Sequence, residues 1–451
     1  MRRLLVFLTL SLGLAFGQDD DPPNIILFLC DDLRPDVLGA MGHIWAQTPN
    51  IDQLANDGTV FHQAFATTAI CVTSRCNILT GQHAIRTGWR MGEMRGKELT
   101  AEQLNQTYLG KLKQAGYKVG YAGKWHVGKV PADFFDHNAA YEGQGKFLEA
   151  PDAEHLTSKL AGEAEKMVAN SGEDPIFLCV GFKAPHQQDG KTPPFYIYDE
   201  KLTGELYKDV ELDPPPLSDE RFFKTLPEFL QTSLSRERWS YRFGTPELFD
   251  ESVRGYHRLV AGVDHAVGRV LKAVEAAGKT DNTVIMFTSD HGVYLGARGF
   301  AEKFYPHEPS IRIPLIVLDP RVPEGKRGWR DEMALTIDIA PTILNLAGVQ
   351  VPGEMQGVSL VPLVNGNDVS DWRQEFFYDH KYIPDKIPPT AAVRTTRWKY
   401  IRYVNSDPLY EELYDLENDP NEERNLIGSP YLKFVHDLMI DKWKQLKEAA
   451  K

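Results

Sequence analysis

Cysteine is scarce in this chain, with only Cys30, Cys71, Cys76 and Cys179 among 451 residues. A disulfide scaffold would carry them more densely. Cys30 and Cys179 sit inside apolar runs and read as small buried hydrophobes. Basic charge is also short: 50 Lys and Arg against 63 Asp and Glu give a net charge of −13. That balance excludes a general nucleic-acid binder, which needs a basic face. It leaves room for an anionic substrate, because a local cluster of cations can dominate a cleft. Internal repeats and low-complexity stretches are missing, and past the N-terminus no apolar run is long enough to span a bilayer. What is present is ordinary for a globular protein, 42% hydrophobic and 25% charged, with length for one large domain and a small one.

The N-terminus has the layout of a secretory signal. Arg2 and Arg3 precede an apolar run over residues 4–16, and Ala15 and Gly17 supply small residues at the cleavage positions. Residues 1–17 are expected to be removed, placing the mature chain in a secreted or periplasmic setting. No Cys follows the signal, which argues against a lipoprotein anchor.

Apolar, β-rich runs at residues 25–30, 118–122, 176–182, 283–288 and 315–318 predict buried strands. Helical periodicity occupies 107–115, 155–170 and 253–277 between them. Strands alternating with helices predict an α/β fold with a large, mostly parallel sheet flanked by helices. Residues 187–249, rich in Pro, aromatics and charge, read as a long excursion that shapes the cleft. The pattern changes near residue 372. Short antiparallel strands at 391–394, 400–404 and 412–416 and a closing helix at 432–449 predict a small C-terminal α+β subdomain over 372–451, after a main domain over 18–371.

Reactive residues fall where those strands end. Asp31 and Asp32 follow the first strand, Lys124 and His126 the second, Lys183 and His186 the third, and Asp290 and His291 the fourth. Ligand sites in open α/β sheets form beyond the carboxyl ends of the strands. Each residue alone has a plain explanation as a loop residue or helix cap; together they mark one edge. Asp31, Asp32 and Asp290 suit a hard cation, Ca²⁺ or Mg²⁺, which would relieve their mutual repulsion. His291 is a softer ligand that either coordinates weakly or meets the substrate.

Residues 71–81, reading CVTSRCNILTG, predict one helix stopped by Gly81. Cys71 then lies at the helix N-terminus, where free N–H groups and the helix dipole favour an anion. Arg75 is one turn on, on the same face, able to pair a modified Cys71 or a bound oxyanion. Taken without any family comparison, Cys71 is either a low-pKa catalytic thiol or a structural cysteine.

This segment resembles the signature of the type I sulfatases, C-x-P/A-S-R followed by a short spacer and L-T-G, in which the cysteine is oxidised to formylglycine. Five further stretches resemble that family in order along nearly the whole mature chain: Asn24 to Asp32, Gly123 to Lys129, Lys183 to His186, Ser289 to Gly292, and Lys303 with Glu308 and Arg312 to Val317. Residues 412–416 with Asp419 and Pro420 resemble its C-terminal subdomain. Thr73 departs from the pattern, standing where the family mostly has Pro or Ala, which puts recognition by the maturation enzyme in question.

The resemblance implies an alkaline-phosphatase-like fold and hydrolysis of sulfuric esters, with a formylglycine-generating enzyme as maturation partner. It implies a cation held by Asp31, Asp32, Asp290, His291 and the modified Cys71. Lys124 and Lys303 would neutralise the sulfate oxygens, His186 would act as general acid with Lys303 assisting, and His126 would take the second hydroxyl's proton. Arg75 and Lys124 would hold the modified residue. A Cys71→Ser change is expected to be tolerated by the fold, position 71 being expected near a surface edge. Residues 378–382 and 392–400 resemble sulfatases of carbohydrate sulfates, with His380 reaching a sugar hydroxyl or packing in the C-terminal subdomain. Trp125, Phe195, Tyr196 and Tyr198 are candidates for stacking on sugar rings, the commoner role of such residues being core or loop packing. Two rival readings stand beside this one: a phosphate or phosphonate ester hydrolase of the same superfamily, and a sulfated-glycan binder with Cys71 unconverted. The sequence does not indicate an oligomeric state.

Overall fold

The computed structural model describes residues 21–451; the segment read as a signal lies outside them. Eight strands form the central sheet: β1 (Asn24–Asp31), β2 (Thr59–Phe61), β3 (Lys118–Lys124), β4 (His137–Tyr141), β5 (Ile176–Pro185), β6 (Thr283–Ser289), β7 (Leu315–Leu318) and β8 (Gly328–Arg330). Their spatial order is β4-β3-β5-β1-β6-β7-β2-β8. Only β7 runs against its neighbours β6 and β2. β1 is central, pairing Leu27 with Cys179 of β5 on one side and Met286 of β6 on the other. Its eight residues are all buried, as a strand covered on both faces requires.

Helices cover both faces. α1 (Cys71–Thr80) lies on one, where Ile78 and Leu79 pack with Ile25, Leu27 and Leu29. On the other, α2 (Leu156–Ala169) and α3 (Pro246–Ala276) bring Leu160, Leu259, Val263 and Val267 against Ile26 and Phe28. α3 begins seven residues before its apolar periodicity does. Thr245 caps it, accepting a hydrogen bond from Leu248 N–H, and Pro246 suits the first turn. The excursion before it is not structureless, since Leu234–Arg242 is helical.

A second sheet is antiparallel: β9 (Glu375–His380), β10 (Thr390–Thr395), β11 (Trp398–Tyr403) and β12 (Tyr410–Asp415). β9 escaped the sequence reading. α4 (Lys433–Ala449) closes this sheet, Met439 packing with Val393, Tyr400 and Leu413. Among the described residues, no helix is long and apolar enough to cross a membrane.

Candidate active site

Adjacency of β1 and β6 brings the carboxylates together. Asp31 is the last residue of β1, and Asp32 turns off it with φ 66°, a left-handed conformation that an Asp tolerates better than most residues. Tyr256 of α3 donates to the Asp32 carbonyl at 2.8 Å. Asp290 follows β6 directly, its N–H bonded to Cys30 O at 3.0 Å.

α1 delivers the next group. It stops where expected, Gly81 adopting φ 66° and its N–H bonding Asn77 O. All ten of its residues are buried. Cys71 opens the helix and its Sγ donates to Asp31 Oδ1 at 3.1 Å. The expectation of a surface edge is therefore corrected: Cys71 is only 3% exposed, and Ala69 just before the helix is bonded by Tyr378 of the second sheet and by Phe304. Arg75 is committed more firmly than its helical spacing implied. Nε donates to Asp290 Oδ2 at 2.8 Å and Nη1 to Lys124 O at 2.6 Å. Ser74 Oγ donates to the Asp290 carbonyl at 2.6 Å.

Two lysines flank this core. Lys124 Nζ pairs with Asp31 and lies 2.5 Å from Gln144 Oε1. Lys303 Nζ lies 2.9 and 3.1 Å from the two Asp32 oxygens. His186 places Nε2 3.6 Å from Asp32 Oδ2, while Nδ1–H donates to Gln187 O at 2.7 Å. His126, also at positive φ, has a buried Nδ1 with no partner. Burial and Lys124 push its imidazole well below the usual range. His380 is buried at the end of β9 with its ring 5.4 Å from that of Phe304 and neither ring nitrogen partnered.

Lys183 is not part of the group. Its Nζ donates to Gly145 O and Gln188 Oε1, both at 2.9 Å, pinning the loop that carries Gln144. The aromatic candidates take their packing alternative. Trp125, Phe195 and Tyr196 are buried; Trp125 packs on Tyr121 and Phe135, and Tyr196 on Tyr256. Tyr198 OH accepts from Arg258.

A cation fits here. One ligand atom each from Asp31, Cys71, Asp290 and His291 lies within 4.8 Å of the others. Asp290 Oδ1 and His291 Nε2 are buried without a hydrogen-bond partner. A carbonyl can only accept, so the 3.0 Å contact of His291 Nδ1 with Gly292 O places the proton on Nδ1 and leaves the Nε2 lone pair free for a metal. Burial and neighbouring Asp31 raise Asp290, and against burial the carboxylates raise His291 and Lys303. Against burial, Lys124 lowers Asp31 and Lys303 lowers Asp32, whereas Asp290 stays raised. Asp31, Asp32 and His186 form a second, adjoining set of ligand atoms. Burial and Asp31 raise the Cys71 thiol. A catalytic thiolate needs the opposite shift.

Sequence reasoning missed Gln144, Glu302 and the Arg90–Asp379 pair. Glu302 is buried between Arg242 and Arg238, at 2.5 and 2.8 Å, with Lys303 Nζ at 3.7 Å. Glu302 adjoins Lys303 in sequence, the one clue available. Gln144 and Arg90 lie outside the strands and Asp379 in β9, and their contacts join residues 20 and 289 positions apart.

The sulfatase family model matches residues 23–349, and a model for the C-terminal part of N-sulphoglucosamine sulphohydrolase matches 296–449. The N-acetylglucosamine-6-O-sulfatase of Bacteroides thetaiotaomicron is 28% identical, the match covering 94% of this chain and 86% of that protein. A solved structure in complex with its substrate D-glucosamine-2-N,6-O-disulfate superposes with a TM-score of 0.75 at 25% identity, over 95% of this chain and 98% of the other. The phosphonate monoester hydrolase of Agrobacterium radiobacter shares the fold, with a TM-score of 0.78 at 22% identity over 95% and 96% of the two chains. This chain therefore belongs to the sulfatase family and is a sulfuric ester hydrolase.

Proposed function

We propose that this enzyme releases sulfate from a sulfated carbohydrate, an oligosaccharide or polysaccharide, using formylglycine made from Cys71 and a Ca²⁺ or Mg²⁺ ion. The observation that carries the proposal is the placement of Cys71 Sγ among the ligand atoms of Asp31, Asp290 and His291, at a helix N-terminus. That sulfur stands in for a hydroxyl oxygen of the hydrated formylglycine that the mature enzyme would carry. The sugar assignment draws on relatives that act on glucosamine sulfates.

Asp31, Asp32, Asp290 and His291 would hold the cation, which supplies positive charge for the nucleophilic oxygen and the sulfate. Hydrated formylglycine supplies one hydroxyl to attack sulfur and a second whose deprotonation expels sulfate, which a serine lacks. Arg75 holds Asp290 in place, and Lys124 and Lys303 face the sulfate oxygens. His126, neutral by burial, suits removal of the second hydroxyl's proton. Burial and Lys303 push His186 down to about 4. A sulfate oxygen arriving beside it raises its proton affinity again, as any nearby anion does. Proton delivery to the departing alcohol then falls to His186 with Lys303 adjacent. His380, neutral through burial, can both donate to and accept from a sugar hydroxyl.

The reading carries a formylglycine-generating partner, secretion or periplasmic export of the chain from residue 18, and a division into residues 18–371 and 372–451. The test is mass spectrometry of the peptide containing residue 71, from protein produced with a maturation enzyme. Replacing CH₂SH by CHO lowers the mass by about 18 Da. Calcium content and activity on matched sulfate and phosphate esters of one sugar complete it. Unmodified Cys71 in protein that still turns over sulfate esters would overturn the mechanism. Equal or faster phosphate release would overturn the substrate class.

A further inference from the structure

Asp31 joins Lys124 to the residue that becomes the nucleophile. Its Oδ1 accepts from Cys71 Sγ at 3.1 Å and its Oδ2 from Lys124 Nζ. The two side chains thus share one carboxylate. An ammonium carries three hydrogens, spread tetrahedrally. Asp31 takes one from Lys124, and Gln144 Oε1, 2.5 Å away, takes a second. The amide atom facing Nζ is the oxygen, because Nζ only donates. With two hydrogens tied, the ammonium cannot rotate, and its third N–H has a single direction left. Among the described residues no third acceptor meets it.

The neutrality of that second acceptor matters. Asp31 already offsets one positive charge, and Gln144 ties the ammonium without adding another negative one. A Glu of nearly the same size would tie it as well, but would set a like charge against an incoming sulfate ester. The chain around Gln144 is shaped to hold it. It follows β4 in a turn where Gly143 and Gly145 have φ of 69° and 64°, a conformation that favours glycine. A Cβ on Gly145 would come within 2.6 Å of the Tyr141 ring. Lys183 Nζ fastens this turn through Gly145 O and also holds Gln188 Oε1, with the Phe147 ring centre 4.6 Å away. Lys183 is 1% exposed, and all three of these partners are neutral. Burying an ammonium against neutral groups is costly, and the turn that carries Gln144 is what this one secures.

We infer that Gln144 is a positioning residue for the reaction: its neutral oxygen fixes the Lys124 ammonium so that the third N–H is aimed at the sulfate group, and Lys183 holds the turn that presents it. The inference rests on the assignment of Lys124 to the sulfate oxygens above.

The experiment uses the matured enzyme, rates being normalised to formylglycine content, with 4-nitrophenyl sulfate and a sulfated monosaccharide that the wild type turns over. Q144M removes the acceptor at nearly constant length. It is expected to lower kcat/KM about tenfold on both esters, because the sulfate group is what they share. Q144E keeps an acceptor and adds a charge, and is expected to lower kcat/KM about a hundredfold on both. K183M frees the turn without altering Gln144 and should cost about threefold. In a K124M background Q144M should add no further loss, because Gln144 acts through Lys124. A purely structural role would instead lower the melting temperature and add its loss in either background. Additive loss in K124M, a loss confined to the sugar ester, or wild-type activity in Q144E overturns the inference while leaving the sulfatase reading intact. Wild-type turnover in K124M overturns the assignment of Lys124 and the inference with it.

Discussion

Two clusters of charge are buried in this molecule, and they are resolved differently. At the carboxyl ends of β1 and β6, Asp31, Asp290 and His291 gather ligand atoms around Cys71, and Asp290 Oδ1 and His291 Nε2 have no hydrogen-bond partner. Between the two sheets, each charge meets its opposite or a polar partner within the protein. Lys399 Nζ lies 2.6 Å from both Glu308 and Glu422, and His307 Nε2 lies 2.8 Å from Glu412. Arg298 donates to Glu422 O and to Tyr414 OH. The second cluster fastens the C-terminal sheet to the loop that follows Lys303. Burial of charge does not by itself mark a site; ligand atoms that converge without a hydrogen-bond partner do.

Mutations in the two clusters should separate along that line. The largest effect is expected from C71S, which keeps size and shape but cannot form the aldehyde. Multiple turnover should fall by ~10⁴-fold or more while the melting temperature stays near that of the wild type. Sustained turnover in C71S would break the comparison at its centre. Next, D290A should lose both bound calcium, read by elemental analysis, and activity by about 10³-fold. It also strands Arg75 as an unpaired buried cation, costing about 3–5 kcal/mol in chemical denaturation. Unchanged calcium content would mean that the orphaned atoms mark something other than a cation site. H126A should slow sulfate release by about 10²–10³-fold. Alcohol should still appear in a stoichiometric first burst, seen by rapid quench. The smallest effect on chemistry is expected in the second cluster. K399M leaves Glu308 and Glu422 facing each other and should cost about 3–5 kcal/mol of stability. Its kcat per folded molecule should fall by less than about tenfold; a larger loss would show that the second cluster serves catalysis too.

The legible part of the fold was the part written in local pattern. β1, β3, β5 and β6 are short apolar runs whose residues are buried on both faces, so their composition announces them. The stop of α1 at Gly81 was legible because a left-handed terminal residue favours glycine. β9 was not, because its outward Asp379 and orphaned His380 interrupt the apolar alternation. In sequence Trp125 and Phe195 are open to both stacking and packing, because an aromatic side chain reads alike in a core and in a cleft; the structure buries both. Lys183 shares its strand-end position with true site residues, and only its contacts with Gly145 and Gln188 show that it braces a loop.

The sequence alone determined the family, through Cys71 to Gly81 and the strand-end motifs, since such motifs are contiguous and their chemistry depends on residue type. It also determined which sheet edge the reactive groups share, because a parallel strand order sends successive carboxyl ends to one side. Tertiary structure decided the rest: that Arg75 grips Asp290, that His291 joins Cys71 in one set of ligand atoms, that Thr73 accepts from Met91 N–H, and that Arg90 pairs with Asp379. Those contacts join segments up to 289 residues apart, and hydrogen-bond geometry over such separations is set by packing rather than by any local pattern.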